Sequence, residues 1–274
     1  MRTTDVLEQL RRLPMRPTAV THVLAVLDDP NANAHDIAAA LQSDPTLTAR
    51  ILHLANSPYF GLSGKIGSIE RAVVALGASV LRSLAVSSAA GLFAEHPEDM
   101  PPGFWQHSVA VAAGSAIAGR MSNVTPGDAM CAGLLHDLGA ALLFRYDKDG
   151  YGPRIIEGGD VGTLLSEEAE AYGGDHAMIG AFALDQWKLP TAIVDALRLH
   201  HTDPLDVGEK LGRVVIAGEA LARVAFADPP FQHEPAVDPE AAFAALGLRG
   251  VSIETMVSRT AEETEILDGL LAAH

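Results

Sequence analysis

Cysteine is almost missing from this chain. Cys131 is the single one, so no intrachain disulfide can form. Aromatic residues are scarce at 5%. The core must therefore be built mainly from Ala, Leu and Val, which suits closely packed helices better than a β-sandwich. Basic residues are outnumbered, 19 against 35 acids, for a formal net charge of −16. A surface of that sign repels phosphate backbones and anionic lipid. No run of Lys or Arg offsets it, so neither direct nucleic-acid binding nor membrane binding is expected. The opening residues, MRTTDVLEQLRRLP, lack the apolar stretch of a signal peptide. No window reads as apolar and charge-free for long enough to span a bilayer. The expected compartment is the cytoplasm.

What is present favours a folded, helical protein. Hydrophobic residues make up 48% and charged residues 20%, enough for a real core and too apolar for wholesale disorder. A length of 274 residues allows one large domain or two joined lobes.

The N-terminal third reads as short helices with clear start signals. Residues 17–28 carry Val20, Val23, Leu24 and Leu27 at helical spacing. Asn33 is an N-cap candidate with Asp36 three residues on. Asp44-Pro45 joins a cap to a proline at the first helical position and opens a helix over 47–55. Ser68 caps a helix with Ile69, Ala72, Val73 and Leu76 on one face. Gly77 ends it, and a further helix runs over 79–93. The polar, proline-rich stretch 96–103 marks the boundary between lobes. Helices follow near 104–121, 126–136, 138–146, 163–172, 175–187 and 190–200, with Pro126 and Pro190 at first-turn positions. Residues 147–162, rich in Gly and Asp, read as a loop, as do 229–239. The tail gives two or three amphipathic helices, including one over 262–272. No strand, repeat or low-complexity tract is legible. The expected core includes Leu24, Leu27, Leu47, Ile51, Val73 and Leu76, with Trp105 and Trp187 as anchors, Cys131 as a buried small hydrophobe and His53 partly buried.

The chemistry concentrates in the run Gly133-Leu134-Leu135-His136-Asp137-Leu138-Gly139. Adjacent His and Asp can face one metal only where a helix ends and the backbone turns, and Gly139 permits that turn. One imidazole nitrogen and one carboxylate oxygen make a mixed N/O site suited to iron, manganese or zinc. His107 lies on the preceding long helix, His176 opens a later one, and His200-His201 ends another. Helical bundles build metal sites from such facing side chains. The bland alternative is that His107, His136 and His176 are core histidines, hydrogen-bonded to a backbone carbonyl or to Asp137.

The ordered set His107, His136-Asp137, His176, His200 and His201 resembles the HD-domain superfamily, whose active members are metal-dependent phosphohydrolases. The resemblance implies one metal held by Asp137, His176, His200 and His201, with Asp137 the residue to carry any activity. It implies a second at His107, His136, Asp137 and a final aspartate downstream. Gly218 falls where that aspartate is expected. Glu219 is its neighbour, but one step rotates a helical side chain by about 100°. The lysine that often follows the His-Asp-x-Gly turn is replaced by Ala140. The Gly-Tyr-Pro motif of cyclic-diguanylate hydrolases is replaced by Thr202-Asp203-Pro204.

Leu13-Pro14, Asp44-Pro45, Leu52, Ala55-Asn56-Ser57, Tyr59-Phe60-Gly61, Ser68-Ile69 and Leu76-Gly77 narrow the likeness to HDOD domains, over roughly residues 13 to 205. This implies an all-α, two-lobed protein, an N-terminal helical lobe packed on an HD-type bundle. The expected division is 1–97, 98–205 and 206–274, the last segment completing the bundle. HDOD domains are regarded mostly as regulatory modules in bacterial signalling. The expected function is thus a bacterial signalling protein acting through signalling-protein partners or a small ligand such as a nucleotide second messenger, without full catalytic activity. The alternative is a metal-dependent phosphohydrolase acting on a nucleotide or cyclic dinucleotide phosphodiester. The 59–67 loop, with two aromatics and three glycines, reads first as a packed loop and second as a partner surface.

Overall fold

The computed structural model describes residues 18–57, 60, 64–92, 99–156, 159–226 and 237–271. Among these residues the ordered elements are helices, with no strand. The described residues cluster into two compact units. One spans 99–265; the other takes 18–92 together with 266–271. The segment 206–274 is therefore divided, its last described turn grouping with the N-terminal unit.

The N-terminal unit holds α1 (Thr18–Asp28), α2 (Ala34–Leu41), α3 (Pro45–Ala55) and α4 (Ile69–Ala89), and the last three begin where side chains take up unpaired backbone N–H groups. Asn33 and Asp36 form a reciprocal capping box. Asp44 accepts from Leu47 N at 2.9 Å, and Ser68 from Arg71 N at 3.3 Å. The break expected at Gly77 is a kink within α4, with Gly77 at φ 77°. Leu24, Leu47, Ile51, Val73 and Leu76 are buried, whereas Leu27 is half-buried and His53 is exposed. Both lie toward the solvent edge of their helical stripes. Asn56 closes the following loop like a strand pair. Its Nδ2 donates to Ile66 O at 2.8 Å, and its Oδ1 accepts from Ile66 N at 2.9 Å. Most of the 59–67 loop lies outside the described residues. Arg50, fully buried, donates from Nε to Leu271 O at 2.8 Å, tying the end of the last helix into this unit.

The second unit is organised around α5 (Phe104–Ser122), an Ala- and Gly-rich helix buried on nearly every side. A helix apolar all round belongs in the interior. It packs against α6 (Pro126–Leu135) and α12 (Lys210–Ala225). α7 (Leu138–Tyr146) packs on α10 (His176–Gln186), which also meets α11 (Thr191–Arg198). α8 (Lys148–Ile156) and α9 (Val161–Tyr172) lie between them in sequence, and α13 (Pro239–Ala245) and α14 (Ile253–Leu271) follow.

Several expectations need correction. Residues 148–156 are helical rather than looped. Tyr151 and Ile155, one helical turn apart, are both buried, and Asp147 receives Gly150 N at 3.0 Å. Burial outweighs the poor helix propensity of two glycines and Pro153. Pro190 sits one place before its helix, at the N-cap of α11. Trp105 and Trp187 are half-buried rather than core anchors. Cys131 is buried. Two stretches, Ile69–Ala89 and Pro126–Tyr146, are long and apolar enough to cross a membrane by length and composition, contrary to the reading of the sequence. They are 67% and 94% buried within the fold. Each is interrupted, one by Gly77 and the other by the His136-Asp137 turn.

Candidate metal centre

The centre grows from the junction of α6 and α7. His136 is the C-cap of α6 and keeps helical φ/ψ, and Asp137, at φ −101°, ψ 18°, is the N-cap of α7. That turn aims two sequence neighbours at one point. Gly139 serves a different end from the expected one. It carries no positive φ; a Cβ there would collide with the backbone of His176. Glycine lets α7 approach α10 closely enough to bring Asp137 and His176 together.

Asp137 is the hub. Its Oδ2 lies 3.0 Å from His136 Nε2 and 3.4 Å from His107 Nε2. Its Oδ1 lies 3.3 Å from His200 Nε2 and 3.4 Å from His176 Nε2. His107 and His136 meet through Nε2 at 3.1 Å, and His176 and His201 at 2.9 Å. All six residues singled out in the sequence thus converge. Their donor atoms fall into two groups: Asp137, His176, His200 and His201; and His107, His136 and Glu219. All but His201 and Glu219 are buried.

Glu219 corrects the expected register. Gly218 does not take the missing ligand's place; a Cβ on it would strike Ser115, so it marks the close crossing of α5 and α12. The neighbouring carboxylate reaches the site instead. Ala140, in place of the lysine, is buried.

The outer ring nitrogens are fixed. His136 Nδ1 donates to Gly133 O at 2.8 Å, and His200 Nδ1 to Leu197 O at 2.6 Å. His176 Nδ1 donates to Glu168 Oε2 at 2.8 Å. With Nδ1 carrying the proton, each neutral ring turns an Nε2 lone pair inward. Lone pairs then confront the Asp137 carboxylate and one another. His200 Nε2, buried and 3.3 Å from Asp137 Oδ1, makes no hydrogen bond there. Such an arrangement requires protons or a cation between the acceptors, and its N/O donor set fits a divalent transition metal. The cluster could hold one.

Glu168 was not foreseen. It is fully buried, takes both His176 N and Nδ1 at 2.8 Å, and accepts from Tyr151 OH at 2.7 Å. Leu164, Glu168 and Tyr172 form one buried stripe of α9. A carboxylate at an apolar helix position was the legible signal.

Charge follows this geometry. Burial pushes the Asp137 carboxyl up, but His136 and hydrogen bonds from its histidine neighbours hold it well below the usual range. Burial lowers His176, yet Glu168 and Asp137 outweigh that and raise it well above its ordinary value. His136 is raised through Asp137 in the same contest with burial. His201 is held well down by burial and by the adjacent His200 and His176. Glu168 is lowered by His176 against the opposing effect of burial.

The cluster opens on a cleft of about 580 Å³. His200, His201 and Glu219 line it, with Ile216, Arg223 and Arg249 among the other wall residues.

The sequence matches the HDOD domain over residues 13–203. The chain belongs to the HDOD family. A candidate phosphohydrolase from Shewanella amazonensis SB2B is similar in structure, with a TM-score of 0.69, 24% identity and 98% of each chain covered. An HDOD domain protein from Geobacter sulfurreducens gives a TM-score of 0.58 at 26% identity, again over 98% of each chain. A candidate signal transduction protein from Marinobacter aquaeolei VT8 gives 0.67 at 22% identity, covering 100% of this chain and 62% of that one. In sequence, the chain is 24% identical over 214 residues to an uncharacterized protein of Treponema pallidum (strain Nichols), and it spans 40% of that protein's length.

Proposed function

We propose that this HDOD protein is a cytoplasmic bacterial signalling protein that holds a divalent metal in its His/Asp cluster and takes a small ligand in the adjoining cleft. Iron, manganese and zinc suit the donor set. The observation that carries this reading is the inward lone pairs around Asp137, imposed by Nδ1 bonds to Gly133 O, Leu197 O and Glu168. Asp137, His176, His200 and His201 would hold a first ion, and His107, His136 and Glu219 the other. A bound metal supplies positive charge that an anionic ligand group can meet. The residues of the chain fix ring orientation, keep water from the buried face and leave His201 and Glu219 at the mouth. The ligand class that fits a signalling role is a nucleotide second messenger, with other signalling proteins as downstream partners.

A second reading, metal-dependent hydrolysis of a phosphate ester, is favoured by one observation. Glu219 stands with His107 and His136, where the superfamily resemblance calls for a final aspartate. Against it, Ala140 offers no cation beside the His-Asp turn.

The test is elemental analysis of protein grown with iron, manganese and zinc, followed by a hydrolysis and binding panel of nucleotides and cyclic dinucleotides. Bound metal with ligand binding and no turnover supports the signalling reading. Metal-dependent turnover abolished by Asp137→Ala supports the hydrolase. A well-folded protein that takes up no metal overturns the metal centre.

A further inference from the structure

The cleft beside the cluster has two walls of different origin. Val161 and the run from His200 to Leu205 make the first. Apart from its last two residues, that wall lies within the matched family segment, 13–203. The second comes wholly from beyond it: Ile216, Glu219, Ala220 and Arg223 on α12, then Ala241 on α13 and Arg249 after it.

This second wall is chemically divided. Ile216, Ala220 and Ala241 offer an apolar floor. Arg223 and Arg249 are the arginines among the cleft's lining residues. Arg223 is held in the wall, with only 9% of its side chain exposed, and its Nη1 lies 3.9 Å from Glu219 Oε1. Arg249 is exposed. Two arginines lining one cleft stand out in a chain of net charge −16. Arginine remains charged throughout the accessible pH range and presents a fork of N–H donors that matches phosphate oxygens. A cleft of about 580 Å³ is the size that encloses a small organic molecule rather than a bare ion.

We propose that this C-terminal wall sets ligand specificity: Arg223 and Arg249 grip a phosphate group, and Ile216, Ala220 and Ala241 receive the organic body it is attached to. The ligand class is a phosphorylated small molecule with an apolar or aromatic body. This rests on the reading that the cleft takes a small ligand, and it assigns the recognition to residues outside the family segment. The phosphate end lies on the same wall as Glu219, so it faces the His107, His136 and Glu219 half of the centre.

The test uses the full chain, as purified and after chelation, with metal content measured in each sample. Phenyl phosphate, inorganic phosphate and phenol are titrated by calorimetry. Phenyl phosphate should bind more tightly than inorganic phosphate, by about five-fold or more through the apolar floor, and phenol should not bind. Arg249→Met should weaken phenyl phosphate by about ten-fold and leave metal content unchanged. Arg223→Met should weaken it at least as much; because Arg223 is half-buried and also faces Glu219, the exposed Arg249→Met and Arg249→Glu variants carry the test. Wild-type affinity in both Arg249 variants overturns the proposal, as does phenol binding as tightly as phenyl phosphate. Metal retained without any phosphate binding overturns it and leaves the metal centre standing. Arg249-dependent binding in protein that takes up no metal supports it and overturns the metal centre instead.

Discussion

Glu168 Oε2 stands 2.8 Å from His176 Nδ1, on the far side of the ring from His201, whose Nε2 faces His176 Nε2 at 2.9 Å. The carboxylate therefore decides which nitrogen keeps the proton and which is offered to the cluster. Partners of this kind hold a ligating imidazole in orientation and raise its basicity. Glu168→Gln keeps the volume and removes the charge. It should leave the fold intact and weaken metal binding by about 10–100-fold, read by competition with a chelating dye. Tyr151→Phe removes one of the donors to Glu168 and should have a smaller effect in the same direction. Unchanged affinity in Glu168→Gln would separate this residue from the centre.

The register of α12 gives a second expectation. If Gly218 were the site of a lost ligand, Gly218→Asp would restore it. The structure demands the opposite. A Cβ at 218 meets Ser115 on the facing helix, and a carboxylate there would be forced into the closely packed crossing of α5 and α12. Gly218→Ala should cost about 1–3 kcal/mol and Gly218→Asp more than about 3 kcal/mol, measured by denaturant unfolding. A stable Gly218→Asp protein with increased metal content would show that Glu219 has been given the wrong role.

These residues show what the sequence made legible and what it did not. His107, His136, Asp137, His176, His200 and His201 could be found because their types and order are unusual, and helix starts at Asn33, Asp44 and Ser68 because capping is local chemistry. The helix over 148–156 could not, since its glycines and Pro153 argue against it and only the burial of Tyr151 and Ile155 argues for it. The place of Glu219 beside His107 and His136 was not legible, because a single step in helical phase lies within the error of a register guessed from spacing. Glu168 sits in the acidic run Glu167-Glu168-Ala169-Glu170, where exposed neighbours disguise the one carboxylate that points inward. Arg223 and Arg249 belong to a wall assembled from α12 and the segment after α13, a neighbourhood that only the tertiary fold creates.

The pH dependence of stability should differ between metal-free and metal-loaded protein. Metal-free, His176 is raised well above the unfolded value of about 6.5. Its contribution is fully present below about 6.5 and is lost as pH rises through the raised folded value. Asp137 is depressed, so its contribution holds above the unfolded value of about 3.9 and disappears as acid reaches the folded value. Coordination needs neutral imidazoles, so the metal displaces the protons on His176 and His136 and binds better as pH rises. The melting-temperature gap between loaded and metal-free samples should widen between about pH 6 and pH 9, and metal binding should release protons, detectable as a dependence of binding heat on buffer ionisation enthalpy. A gap that stays constant, with no proton release, would show that the metal does not enter through these rings.

Asp137 should be the residue whose loss empties the whole centre. Its two oxygens divide the histidines: Oδ1 faces His176 and His200, and Oδ2 faces His136 and His107. It belongs to the first group and its Oδ2 also faces the two histidines of the second, so it supplies the buried opposing charge between them. His107 and Glu219 belong to one group only. His176→Ala should therefore deplete the Asp137, His176, His200 and His201 position and spare part of the other. His107→Ala and Glu219→Gln should do the reverse, with the larger residual content because the group of Asp137 and three histidines is left whole. Asp137→Ala should lose metal from both. Elemental analysis of the four variants beside wild type, each checked by circular dichroism and thermal melting, gives the ranking. The stability measurement also discriminates on its own, because removing Asp137 removes the main anion that raises His136 while Glu168 still raises His176: metal-free Asp137→Ala should show a weaker, not an absent, alkaline dependence than wild type. Equal metal content in Asp137→Ala, His176→Ala and His107→Ala would refute the division of the centre into two positions that share one carboxylate.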